Sequence, residues 1–264
     1  MKHRIQYILT SFLAGLLLTA CAAETNDVQS DSRGSFTLGL STDSLSVDVG
    51  TRAGRDLTEA EQQIFTVTLV HNDVTVWNNI PFANLTQDDR TQPVGEHYVV
   101  SAESCTSAEA ESANDGWGKR RYWGQSETFD IKKDANTNVS VDCHMANAGV
   151  SVEFDESFTS YFTMGYSVTT DDSRTLRFDN TTTGRVAYYN IPEGNTRVVH
   201  VLVNASAGWD GTLHIERELM LQKGGVTRLY VRKGESNEGQ VDLGITVDSH
   251  FDVQYEYIDV PVED

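Results

Sequence analysis

Apolar and polar residues alternate along nearly the whole chain from residue 36 onward, the period of two that marks a β-strand with one buried face. The clearest runs are Phe36-Leu38-Leu40, Leu45-Val47-Val49, Phe65-Val67-Leu69, Tyr98-Val100, Phe129-Ile131, Val139-Val141-Cys143 and Val150-Val152-Phe154. A second series comprises Tyr166-Val168, Val199-Val201-Val203, Leu219-Leu221, Leu229-Val231, Val241-Leu243-Ile245-Val247 and Phe251-Val253-Tyr255-Tyr257. In the last of these the phase slips to Ile258, Val260 and Val262, which predicts a β-bulge. Only Leu57 to Ile64 offers a helical reading, about two turns with Asp56 or Thr58 as cap. An all-β fold follows, and few prolines with abundant Thr, Ser, Val and Asp agree with it.

The pattern also repeats. Ile131 to Val141 and Leu221 to Val231 share length and order, each an apolar strand, a lysine, a turn and a second apolar strand. Ile80-Pro81 ahead of Tyr98-Val99-Val100 is echoed by Ile191-Pro192 ahead of Val201-Leu202-Val203, and Val152 to Phe158 is answered by Ile245 to Phe251. This predicts two β-sandwich modules in series, residues 34–147 and 148–264, joined near Ala146 to Val150. One large sandwich with similar hairpins is the competing plan. Asp134 to Asn138 carries oxygens at alternate positions, as a calcium loop would. Val139 stands where such a loop needs glycine, and the matching Gly224-Gly225-Val226 holds no ligand, so a turn without metal is expected.

The first apolar run, Ile5 to Leu18 behind Lys2 and Arg4, is too short to span a bilayer, and no other stretch approaches that length. It closes on Leu18-Thr19-Ala20-Cys21, which is similar to a bacterial lipoprotein signal. The expectation is that residues 1–20 leave and that Cys21 is acylated, at roughly 0.8 kcal/mol per buried CH₂. Residues 21–33 then form an acidic tether between membrane and fold. The protein is expected at the outer membrane, held by its lipid and exposed at the cell surface. Loss of residues 1–20 removes Lys2 and Arg4 and no acid, so the net charge of −19 becomes −21. That charge repels phosphate and excludes nucleic acid as a partner.

With Cys21 acylated, Cys105 and Cys143 remain as an even pair, which permits one disulfide outside the cytoplasm. The alternation that puts Cys143 on the face of Val139 and Val141 fits a buried free thiol equally well. There is no Gly-x-Ser-x-Gly, no His-Glu-x-x-His and no phosphate-cradling glycine loop, so neither an enzyme nor a cofactor is expected. The segment Trp117-Gly118-Lys119-Arg120-Arg121-Tyr122-Trp123 gathers aromatics and cations between polar stretches. Trp117, Tyr122 and Trp123 are therefore candidate contacts to a glycan or partner, or else covers for a core.

The order of these pieces resembles the fimbrillin-like surface lipoproteins of the Bacteroidales, and more closely an uncharacterised lipoprotein family within that circle. The resemblance rests on Cys21, Gly34-Ser35-Phe36-Thr37-Leu38, Thr51-Arg52-Ala53, Phe65-Thr66-Val67, Gly95 to Ala102, Arg121-Tyr122-Trp123-Gly124 and Val139 to Ala148 ahead of Val150-Ser151-Val152. It implies two transthyretin-like sandwiches and a role in adhesion or pilus assembly, with pilus or adhesin subunits as partners. In the pilus-forming members a trypsin-like protease cuts after an arginine following the first strand, and a neighbour's strand fills the groove. Arg52 and Arg55 lie where such a cut falls, and the segment from Phe251 to Val262 is the donor candidate, unless it closes its own sheet. A surface lipoprotein that captures host or dietary glycans is the alternative.

Overall fold

The computed structural model describes residues 32–42, 55–172, 174–192, 196–207, 212–233, 245–248 and 253–260. Cys21, Arg52, the signal segment and the run Leu45-Val47-Val49 lie outside them. The N-terminal half contains β1 (Arg33–Thr42), β2 (Arg55–Asp56), α1 (Glu59–Gln62), β3 (Thr66–His71), β4 (Val74–Pro81), β5 (Thr91–Pro93), β6 (Gly95–Glu103), α2 (Ser107–Ser112), β7 (Tyr122–Gln125), β8 (Phe129–Ile131) and β9 (Asn136–Met145). The C-terminal half contains β10 (Asn147–Phe154), α3 (Glu156–Tyr161), β11 (Gly165–Asp171), β12 (Thr175–Phe178), β13 (Val186–Asn190), β14 (Thr196–Ser206), β15 (Thr212–Gln222), β16 (Val226–Lys233), β17 (Ile245–Asp248) and β18 (Val253–Val260). The fold is all-β, as the alternation predicts.

One pairing scheme occurs twice. In the N-terminal half β1 runs parallel to β9, with Leu38 opposite Val139, and antiparallel to β5. There β3 pairs with β4 and β6, and β6 with β8. In the C-terminal half β10 runs parallel to β16 and antiparallel to β13, β11 pairs with β12 and β14, and β14 pairs with β15. Each half thus pairs its first strand in parallel with a strand late in that half, β9 in one and β16 in the other. The halves differ in what is added. In the N-terminal half β7 bridges β6 and β9, giving a nine-stranded sheet. In the C-terminal half β18 lies parallel on β16 and antiparallel to β17, making a five-stranded sheet beside a four-stranded one.

Burial follows the period of two. Along β1, Phe36, Leu38 and Leu40 point inward and the residues between them do not. These three pack with Val67, Leu69, Tyr98, Val139 and Val141 in one cluster. A second cluster is built from Val150, Phe158, Val168, Phe178, Tyr189, Val201, Leu221 and their neighbours. Trp117 belongs to this second cluster, although it lies in the N-terminal half of the chain.

Several elements depart from the sequence reading. The helix expected at Leu57 to Ile64 shortens to α1, with Thr58 and Glu61 forming a capping box. Two further helices, α2 and α3, were not expected; at six residues each they are too short to show a helical period. Their caps carry the signal instead: Thr106 and Glu109 form a capping box, and Asp155 accepts from Ser157 N–H at 2.8 Å. The strand β4 escapes the pattern because Val74 and Val76 are exposed and only Trp77 and Ile80 are partly buried against the core, so no clean alternation is written. The bulge expected near Ile258 is absent, since β18 pairs one-to-one with β16 from Val253 to Val260. Asp134 turns the chain between β8 and β9 with φ 53°, and its N–H donates to the Arg33 carbonyl at 3.0 Å.

The approach of β7 to β9 depends on Gly124, where any Cβ would collide with the Asp142 carbonyl oxygen. Gly124→Ala is expected to cost about 1–3 kcal/mol by overpacking, whereas Gly39→Ala, exposed on β1, stays within about 0.5 kcal/mol of the parent. Denaturant melts of the two variants check this.

Candidate functional site

Between β6 and β7 the chain makes an excursion that reaches into the other half. Thr106 starts α2, and then Asn114, Asp115, Gly116 and Gly118 all take positive φ, at 54°, 58°, 84° and 80°. Such a run is open to Asn, Asp and Gly and closed to most other residues, so it reverses the chain in a tight loop. The loop is fixed by Gly118 N–H donating to the Ala113 carbonyl at 2.8 Å and by Asn114 Nδ2 donating to the Gly118 carbonyl at 2.7 Å.

The loop delivers Trp117 onto β13. Tyr188 N–H donates to the Trp117 carbonyl at 2.7 Å, which satisfies part of the open edge of that strand. The indole packs edge-on against Phe178 with centroids 4.9 Å apart. Beside it, Glu111 Oε1 accepts from Arg197 Nη1 at 2.9 Å, and the Glu111 carbonyl accepts from Arg174 Nη1 at 2.7 Å. Arg174 also donates to the carbonyls of Gly116 and Tyr188, and Arg197 to Asp172 and the Asn190 carbonyl. Both guanidinium groups lie against the Tyr189 ring, 4.6 and 5.5 Å from its centroid. Burial pushes the Tyr189 phenol up, and Thr170 Oγ1 lies 2.6 Å from its oxygen.

The joint between the halves is equally tight. Only Ala146 separates β9 from β10, and its N–H donates to the Arg121 carbonyl at 2.7 Å. The Asn147 side chain donates to the Lys119 carbonyl at 2.8 Å and accepts from Arg121 N–H at 3.1 Å. Asn147 is buried, so losing these bonds strands two backbone groups.

The structure does not bring the three candidate aromatics to one surface. Trp117 sits in the C-terminal cluster and Tyr122 in the N-terminal one, because the alternation of β7 turns Tyr122 inward and Trp123 outward. Trp123 is half-buried with the Lys223 ammonium 5.5 Å from its ring centroid. Cys105 and Cys143 are both free and buried, so the disulfide that an even count permitted is not formed. Burial pushes the Cys143 thiol up to about 12, and burial raises Cys105 as well. The backbone of Arg55 pairs with Thr42 at the end of β1.

Beside Trp117 a groove of about 450 Å³ opens between Asn114, Asp115, Gly118, Arg185, Val186 and Tyr188. The Arg185 guanidinium lies 4.0 Å from the Trp117 ring centroid. Arg120 Nε donates to the Tyr188 hydroxyl at 3.0 Å. Sequence reasoning missed Glu111, Asn147, Arg174, Arg185 and Arg197. Their partners lie far away in sequence, whereas the run Asn114-Asp115-Gly116 was a legible turn signal.

Asn147→Ala is expected to destabilise the fold by about 1–3 kcal/mol and to separate unfolding of the two halves, read as a second transition in calorimetry. For the thiols, the thiolate is the reactive form, and burial, which pushes the Cys143 thiol up, keeps it protonated at pH 8. A disulfide-exchange reagent should therefore titrate both Cys105 and Cys143 in denaturant and Cys143 hardly at all in the native protein.

The sequence profile of a family described as a domain of unknown function, DUF4493, matches residues 32–262. No curated protein matches the chain. Among solved structures it is similar to a fimbrial assembly protein from Parabacteroides distasonis, at 14% identity and TM-score 0.41, over 78% of this chain and 94% of that one. It is similar to a fimbrial protein from Bacteroides ovatus at 11% identity and TM-score 0.37, over 80% of this chain and 52% of that one. A fimbrial anchor protein from Porphyromonas gingivalis is similar at 13% identity and TM-score 0.31, over 71% of this chain and 74% of that one. With 231 of its residues inside the matched range 32–262, the chain belongs to the DUF4493 family.

Proposed function

We propose that the protein is a fimbrillin-like subunit for surface adhesion or pilus assembly, built as two β-sandwich modules, anchored through acylated Cys21 and joined to its neighbours by strand addition. The observation that carries this reading is the position of β1. It is bonded along both edges, to β9 on one side and to β5 and β2 on the other, and it supplies Phe36, Leu38 and Leu40 to the core. At about 1.5–3 kcal/mol for each buried side chain, its loss leaves an apolar groove with two unpaired strand edges. Only another strand of the same alternation satisfies both demands.

Arg52 and Arg55 follow β1, and a cut after either separates it covalently from the rest of the fold. The same cut separates the fold from Cys21, so an uncut copy stays on the lipid and a cut copy is free to join a neighbour. The C-terminal segment, the donor candidate, forms β18 within this chain's own sheet, parallel to β16 and antiparallel to β17, so serving a neighbour requires it to leave that pairing.

A second reading, a surface lipoprotein that captures glycans, is favoured by the groove beside Trp117. Amino-terminal sequencing of the protein from its native envelope separates the two. The assembly reading expects a form beginning at Ala53 or Asp56 within detergent-resistant oligomers, and a double variant Arg52→Ala, Arg55→Ala that stays monomeric and lipid-bound. Surface protein that begins only at acylated Cys21, as a monomer, overturns it.

A further inference from the structure

The arginines of the C-terminal half are, with one exception, occupied by the protein itself. Arg174 and Arg197 reach Glu111, Arg177 reaches Asp179 at 3.3 Å and Arg228 reaches Glu153 at 3.3 Å. Arg217 donates to the Glu216 carbonyl at 2.7 Å, and Arg232 is engaged as well. Arg185 is the exception: among the described residues its guanidinium has neither a carboxylate partner nor a hydrogen bond, in a chain with 39 acids and 20 bases. It lies instead over the face of Trp117, 4.0 Å from the ring centroid, a contact that uses none of its N–H donors, and it lines the groove.

Asp115 lines the same groove, exposed and without a partner among the described residues. Arg185 and Asp115 do not pair with each other. Asn114, whose Nδ2 is already used, and Tyr188, whose hydroxyl accepts from Arg120 and keeps its own proton to donate, line it as well. The loop that carries Asp115 is locked by its internal hydrogen bonds, and Arg185 by its stacking, so little ordering cost remains on binding.

We propose that this groove binds an uncharged sugar unit, with Arg185 donating to one hydroxyl, Asp115 accepting from its neighbour, and Tyr188 and Asn114 completing the ring of contacts. A carboxylate ligand meets Asp115 and an ammonium ligand meets Arg185, each as a like charge. Adjacent hydroxyls, each both donor and acceptor, satisfy the two side chains at once. This rests on the glycan-capture reading and adds to it a site and a ligand class.

The test is calorimetric titration of the whole mature chain with neutral gluco-, manno-, galacto- and xylo-oligosaccharides, and with oligogalacturonate as the acidic arm. At least one neutral oligosaccharide is expected to bind. Arg185→Ala and Asp115→Gly, the latter keeping the positive φ of the loop, should each weaken it tenfold or more, with melting temperatures near the parent's, while Arg177→Ala leaves affinity unchanged. If a neutral sugar binds and both groove variants bind it equally, the glycan reading stands and this site is overturned. If only oligogalacturonate binds, the ligand class is overturned. If no oligosaccharide binds, the site and the glycan reading fall together.

Discussion

The parallel pairing of a half's first strand with one far along the chain is the constraint from which the rest of this structure follows. A parallel pair needs a long connection, which β2 to β8 supply in one half and β11 to β15 in the other. In the N-terminal half that pair is β1 and β9; in the C-terminal half it is β10 and β16. The consequence is unusual for β1. It is central by hydrogen bonding and core packing, yet it precedes every other described strand of its half. A central strand placed first in its half is one that a single cut behind it separates from the strands that follow.

The two halves are held differently from beads on a string. One residue, Ala146, joins them, and the excursion between β6 and β7 lays Trp117 into the core of the other half. Glu111 with Arg174 and Arg197 adds partly buried ion pairs, which are costly to break singly because the remaining charges lose their partner. The groove beside Trp117 exists because the same excursion bulges at Asn114 and Asp115 before it docks.

Much of the fold was legible because half-buried strands write their period into the sequence. The runs Phe36-Leu38-Leu40, Val139-Val141-Cys143 and Val199-Val201-Val203 became β1, β9 and β14. The strands that escaped are those with a weak and irregular burial pattern, such as β4, or those of four or five residues, such as β12 and β13. The repeat of Ile131 to Val141 in Leu221 to Val231 corresponds to β8–β9 and β15–β16, the turns that lead into the strands paired with β1 and β10. The site was far less legible. Trp117, Tyr122 and Trp123 are neighbours in sequence, but a turn of positive φ and the alternation of β7 send them to three different surroundings. The partners that matter most, Glu111 with Arg197 and Trp117 with Arg185, are separated by many tens of residues, and no local pattern announces them.

The central claim is that β1 is a replaceable strand. Native mass spectrometry of protein nicked after Arg52 or Arg55, mixed with an isotope-labelled peptide spanning residues 33–42, tests it most directly. The account predicts that the labelled peptide takes the place of the original fragment while the remainder of the chain stays folded. A nicked protein that unfolds when the fragment leaves, or that never exchanges it, contradicts the account.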